Sequence, residues 1–156
     1  MTLFPVLPKI SVIRILLFYT LIIFSLKVSG QLQEGEKRVI FLKETPVYFH
    51  LTKDSIYSRF TPTVTNIDSA DLFLRAYLLK NKYYDNTSVN LDAYFRQYVG
   101  ILLNGQQTIF VNASCRKPEY FLENTYYPKG GGSCYFQTLI DISNRKVFKF
   151  FFNAPK

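Results

Sequence analysis

Two periods of hydrophobic spacing organise the chain. In "FTPTVTNIDSADLFLRAYLLKNK", residues 60–82, Val64, Ile67, Ala70, Phe73, Leu74, Tyr77 and Leu78 recur every three or four residues. That spacing predicts one amphipathic helix that lays a Phe73/Tyr77 face on a sheet. Thr63 is placed to cap it; Asp68 and Asp71 lie toward its start, and Arg75, Lys80 and Lys82 toward its end, as the helix dipole favours. Elsewhere the period is two. "YFRQYVGILLNGQQTIFVNASCR", residues 94–116, contains Asn104-Gly105, whose residues tolerate the positive φ of a tight hairpin turn. Pairing Leu103 with Gln106 sets Leu102 against Gln107, Gly100 against Ile109 and Tyr98 against Val111. Tyr98, Leu102, Ile109, Val111, Ala113 and, by parity, Cys115 then share one face.

A second hairpin is predicted from "SCYFQTLIDI" and "KVFKFFF", joined near Ser143-Asn144-Arg145. Cys134, Phe136, Thr138, Ile140 and Ile142 share a face there. Upstream, "RVIFLKETPVYFHL", residues 38–51, reads as two short strands or one edge strand broken at Pro46. The expected fold is α+β: an antiparallel sheet of two C-terminal hairpins plus N-terminal strand(s), with one amphipathic helix packed on one face.

The N-terminus changes the compartment. Lys9 and Arg14 precede "ILLFYTLIIFSL", residues 15–26, and then "KVSG" leads into polar "QLQEGEKR". A basic start, an apolar run of a dozen residues and small residues before a polar stretch describe a secretory signal peptide over residues 1–30. As a helix the run is about 18 Å long, short of the roughly 30 Å of a bilayer core. The alternative is an N-terminal membrane anchor that begins further upstream. Residues 31–37 read as a flexible leader, and residues 38–156 as a single domain. Of the 19 basic and 11 acidic residues, Lys9, Arg14 and Lys27 fall within residues 1–30, which leaves 16 against 11, a net of +5. That surplus is spread out. It suits solubility, or an anionic envelope polymer, lipid surface or acidic partner, rather than nucleic acid.

Cys115 and Cys134 are the only cysteines. In an exported domain an even count reads as a disulfide, here closing a loop of about 19 residues. Free thiols or half of a metal site are the rivals. His50 is the sole imidazole, so zinc lacks obvious ligands, and no cofactor or metal is expected.

Catalytic supply is thin. His50 has no nucleophile motif near it, and G-x-S-x-G is absent. In "YYPKGGGSCYFQ", Lys129 precedes the glycines and a strand follows them, the reverse of a phosphate-binding loop. Two N-x-[ST] sequons, at Asn86 and Asn112, matter only in a eukaryotic secretory pathway. The candidate binding residues are Glu119, Tyr120, Glu123, Tyr126 and Tyr127 in "RKPEYFLENTYYPK". There a helical turn after Pro118 sets two acids among aromatic rings suited to a sugar or a cation. The rival reading is a surface loop whose rings pack back on the sheet.

Three stretches in order, "RFTPTVTNIDSADLFLRAYL" (59–78), "YFRQYVGILLNGQQTIFVNASC" (94–115) and "GGGSCYFQTLIDISNRKVFKFFFNA" (130–154), resemble small exported proteins of Bacteroidota-type bacteria. Those proteins pair an F-T-P-T helix start with Y-x-R-Q-Y-x-G and G-G-x-x-Y-F strands. The resemblance implies a bacterial, exported, single-domain protein and transfers no activity or site residue. Two functions follow as expectations. The first is a non-enzymatic envelope or secreted binding module, periplasmic, cell-surface or secreted, whose partner is an envelope protein, glycan or anionic surface. The alternative is a small hydrolase of an envelope or extracellular polymer that uses Glu119/Glu123 or Asp141.

Overall fold

The computed structural model describes residues 31–33, 37–47, 57–81, 89–128 and 130–153. The expected signal peptide, His50, Lys129 and the Asn86 sequon lie outside the described residues. Among these residues seven strands form one sheet: β1 (Gln31–Gln33), β2 (Arg38–Phe41), β3 (Tyr57–Phe60), β4 (Phe95–Leu103), β5 (Gln106–Ser114), β6 (Tyr135–Asp141) and β7 (Lys146–Phe152). Their order is β1-β2-β4-β5-β6-β7, and β3 also pairs with β4. Among the described residues one α-helix, α1 (Val64–Lys80), packs on the sheet, so the fold is α+β.

Both hairpins form. Asn104 and Gly105 take φ of 51° and 80°, and the register pairs Leu103 with Gln106, Gly100 with Ile109 and Tyr98 with Val111, as the turn dictates. In the second hairpin the pairing runs Leu139 with Lys149, then Ile140 with Val147, so Phe148 is an extra, bulged residue.

The N-terminal strands depart from the expectation in two ways. Gln31–Gln33, read as part of a flexible leader, form β1 and pair antiparallel with β2. Backbone pairing is open to any non-proline sequence, so polar side chains do not exclude it. β2 runs parallel to the first half of β4, Arg38 opposite Arg96 through Phe41 opposite Val99. A parallel pair needs a long crossover, and β3 with α1 supply it. β3 takes the second half of the same β4 edge, antiparallel, from Phe60 opposite Gly100 to Tyr57 opposite Leu103.

Thr63 caps α1. Its hydroxyl accepts from the Asn66 backbone N–H at 3.2 Å, and the Asn66 side-chain oxygen accepts from the Thr63 backbone N–H at 3.0 Å. The stripe that faces the sheet is Ile67, Ala70, Asp71, Leu74 and Leu78. Phe73 and Tyr77 flank it, half-buried, and the Tyr77 ring lies 5.5 Å from that of Phe150. Val64, expected on the stripe, is exposed.

Asp71 corrects the dipole reading: its carboxylate points at the sheet. Oδ2 accepts from Arg96 Nη1 at 2.7 Å and Oδ1 from the Tyr98 hydroxyl at 2.6 Å, all three side chains being buried. Arg96 and Tyr98 are two apart on β4, so one face presents both donors to one acid. Burial, and then the charge of Asp71, push the Tyr98 hydroxyl well above the usual tyrosine range. Asp68, one turn earlier, pairs with Arg38 of β2 at 2.9 Å.

The sheet is buried on both faces. Ile40, Tyr98, Ile109, Val111, Phe136 and Ile140 meet α1 on the first. Val39, Phe41, Val99, Ile101, Phe110, Leu139 and Phe121 form a separate core on the second.

Candidate functional site

The second face reads as three rows of side chains across β4, β5, β6 and β7. The middle row is Val99, Phe110, Leu139 and the bulge-adjacent Lys149. On one side of it lie Gln97, Asn112, Gln137 and Phe151; on the other lie Ile101, Thr108, Asp141 and Lys146. Period-two alternation puts all of them on the face away from α1.

Gln97, Asn112 and Gln137 are buried and linked. Asn112 Nδ2 donates to Gln97 Oε1 at 2.8 Å, and Gln137 Nε2 donates to Asn112 Oδ1 at 3.2 Å. The remaining capacity of Gln97 and Asn112 holds the backbone of the loop between β5 and β6. Gln97 Nε2 donates to the carbonyls of Phe121 and Asn124, both at 2.7 Å. Gln97 Oε1 accepts from Tyr126 N–H at 3.2 Å, and Asn112 Nδ2 donates to the Tyr126 carbonyl at 2.8 Å. Buried amides mimic a backbone ladder, so an irregular loop lies on the sheet with its polar groups satisfied. Phe121 anchors it, 2% exposed, with its ring edge-on to Phe95 at 5.6 Å.

The loop begins as expected with turns after Pro118. Phe121 N–H donates to the Pro118 carbonyl, and Glu123 and Asn124 N–H to that of Tyr120. The candidate residues then divide. Glu119, Tyr120 and Glu123 are exposed, Tyr120 by 56%. Tyr126 is 38% exposed and its ring lies 5.7 Å from Tyr135. Tyr127 turns back onto the second-face core. So Phe121 and Tyr127 follow the packing reading, while Tyr120 and Tyr126 stay outward. Partial burial and the neighbouring Tyr135 push the Tyr126 hydroxyl above the ordinary tyrosine value.

The loop ends are fixed covalently. Cys115 and Cys134 form a disulfide with Cα atoms 4.9 Å apart, and Cys115 N–H donates to the Cys134 carbonyl at 2.8 Å. Both cysteines stand just outside their strands rather than on them. Gly130, Gly131 and Gly132 all take positive φ, and a Cβ on Gly131 would sit 2.5 Å from the Tyr135 ring. The glycines let the chain turn flat across that ring and reach the disulfide. Beside them Arg116, Tyr126, Pro128 and Tyr135 line a groove of about 330 Å³.

Asp141 belongs to the other end of the face. Its two oxygens accept from Asn144 N–H at 2.9 Å and Asn144 Nδ2 at 2.8 Å. Thr108, its partner on β5, is four residues from Asn112, roughly 13 Å along the strand. Asp141 is therefore not part of the glutamate loop. Among the described residues no cluster of three His, Cys, Asp or Glu side chains is placed to hold a metal, and no helix is long and apolar enough to cross a membrane.

Composition and periodicity do not single out Gln97, Asn112, Gln137, Arg116 or Tyr135. For the first two a signal exists: the Asn104-Gly105 register that pairs Tyr98 with Val111 also pairs Gln97 with Asn112. The Asn112 sequon is taken up in the same network, its amide nitrogen donating twice. No protein family, curated protein or solved structure matches the chain.

Proposed function

We propose that the protein is an exported, non-enzymatic binding module that engages an envelope protein, glycan or anionic surface through the aromatic segment 118–128. The observation that carries this reading is the clamp beneath the segment. Two buried amides, Gln97 and Asn112, hold its backbone, and Gln137 braces Asn112, while Tyr120 and Leu122 stand outward between Glu119 and Glu123. Exposed rings on a pre-ordered backbone bind without the entropy cost of ordering a loop. The Cys115–Cys134 bridge supports an oxidising compartment, in line with the signal-like N-terminus and with the resemblance to exported Bacteroidota-type proteins.

The test places a photo-crosslinking residue at position 120 and, separately, at Leu79, which is 82% exposed on the outer side of α1. In envelope-derived material a discrete adduct is expected from position 120 alone. Equal labelling from both positions, or none from 120, would refute the loop as the binding surface.

A further inference from the structure

The turn end of the second face holds a second feature, independent of the aromatic loop. Gln106, Thr108, Asp141, Asn144, Lys146 and Phe148, with the Asn104 turn at one side, line an open cleft of about 530 Å³. That volume falls within the range of small-molecule sites, roughly 300–1,000 Å³.

Its chemistry is specific. Thr108 and Asp141 are buried, so their polar atoms are fixed by strands and not by loop motion. Each oxygen of Asp141 accepts once from Asn144, and a carboxylate has about four acceptor positions, so acceptor capacity remains. Gln106 and Asn144 each carry both donors and an acceptor. Phe148 is the bulged residue of β7; it belongs to neither core, is 37% exposed and forms an apolar wall. Bulges re-aim side chains, and here the aromatic one is aimed beside the polar set.

Charge selects among ligands. Lys146 stands opposite Asp141 in register, so one cation offsets one anion. A phosphate meets the carboxylate, and a metal ion meets the ammonium. A neutral molecule with an apolar face and a rim of hydroxyls meets neither obstacle. A pyranose has that form: C–H bonds on one face for Phe148, and vicinal hydroxyls, each donor and acceptor, for Asp141, Asn144, Gln106 and Thr108. We infer that this cleft is a saccharide-binding site for one or two neutral sugar rings.

The test is saturation-transfer NMR on the whole protein with glucose, galactose, mannose, N-acetylglucosamine, maltose and cellobiose. At least one is expected to bind, and Phe148→Ala and Asp141→Asn each to weaken it by about tenfold or more. Phe148→Ala lies outside both cores and should keep the wild-type thermal melt, which separates lost binding from lost folding. Leu79→Ala, on the outer side of α1, should leave the affinity unchanged, whereas sugar binding lost in Tyr120→Ala and kept in Phe148→Ala would assign the sugar to the aromatic loop and overturn the cleft. Absence of binding across the panel overturns the inference, as does binding that survives Phe148→Ala or Asp141→Asn in folded protein. Inorganic phosphate or calcium ion that perturbs the Asp141 and Asn144 amides where sugars do not overturns it too.

Discussion

The two faces of the sheet bury polar groups for different purposes. Under α1 the polar element is compact: Asp71 takes a guanidinium from Arg96 and a hydroxyl from Tyr98, within a surround of Ile67, Leu74, Ile109 and Val111. It joins the helix to the sheet. On the opposite face Gln97, Asn112 and Gln137 are neutral and arranged as a line, and the remaining hydrogen bonds of Gln97 and Asn112 go to loop backbone. A charged cluster locks two regular elements together, whereas a neutral amide row substitutes for a missing strand. Loss of the first should therefore act globally and loss of the second locally.

The largest break in that comparison should come from Asp71→Ala. It strands a buried guanidinium, at a cost of about 3–5 kcal/mol seen as an early, cooperative chemical-denaturation transition. Replacing both Cys115 and Cys134 with Ser should cost about 3 kcal/mol by the chain-entropy relation, with the loop at 116–131 losing amide protection first. Tyr98→Phe removes a hydrogen bond to a carboxylate, about 1.5–3 kcal/mol, and should also change the alkaline limb. The folded-state value of Tyr98 is raised above the unfolded value near 10. Its contribution is thus full below pH 10 and is lost as pH rises toward the higher folded value, because the unfolded chain ionises first. Stability measured from pH 9 upward should fall less steeply in Tyr98→Phe than in wild type.

Gln97→Ala leaves the Phe121 and Asn124 carbonyls without their donor, a cost of about 1–3 kcal/mol. Hydrogen exchange should quicken over residues 118–127 while α1 amides keep their protection. Equal quickening in α1 would erase the contrast between the faces. The smallest effect belongs to Glu119→Gln, exposed on the loop, at within about 0.5 kcal/mol of wild-type stability.

Local rules made much of the fold legible. Asn104-Gly105 determines its own register, and every cross-strand pair of that hairpin follows from it. Thr63 caps because its side chain reaches Asn66 within one turn. The helix stripe was legible in Ile67, Ala70, Leu74 and Leu78 but not in Asp71. An acid within an apolar stripe reads as surface, and only the tertiary approach of Arg96 and Tyr98 makes Asp71 an inward residue. The parallel β2–β4 pairing was hidden for a related reason: Arg38 and Arg96 are far apart in sequence, and nothing local in "RVIF" names its partner. The disulfide followed from cysteine count and strand parity. The exposure of Tyr120 and the burial of Phe121 did not, because which ring turns inward depends on amides contributed by two strands, β4 and β5.

The parallel pairing also orders events in time. Synthesis delivers Arg38–Phe41 well before Arg96–Val99, so β2 waits for its neighbour while β4 with β5, and β6 with β7, join through short local turns and β5 reaches β6 across the disulfide-closed loop. The hairpin array should assemble first and recruit β2 and β1 last. Until then the nascent chain carries "VIF" as an unsheltered apolar strand, the segment with most to gain from a holding chaperone.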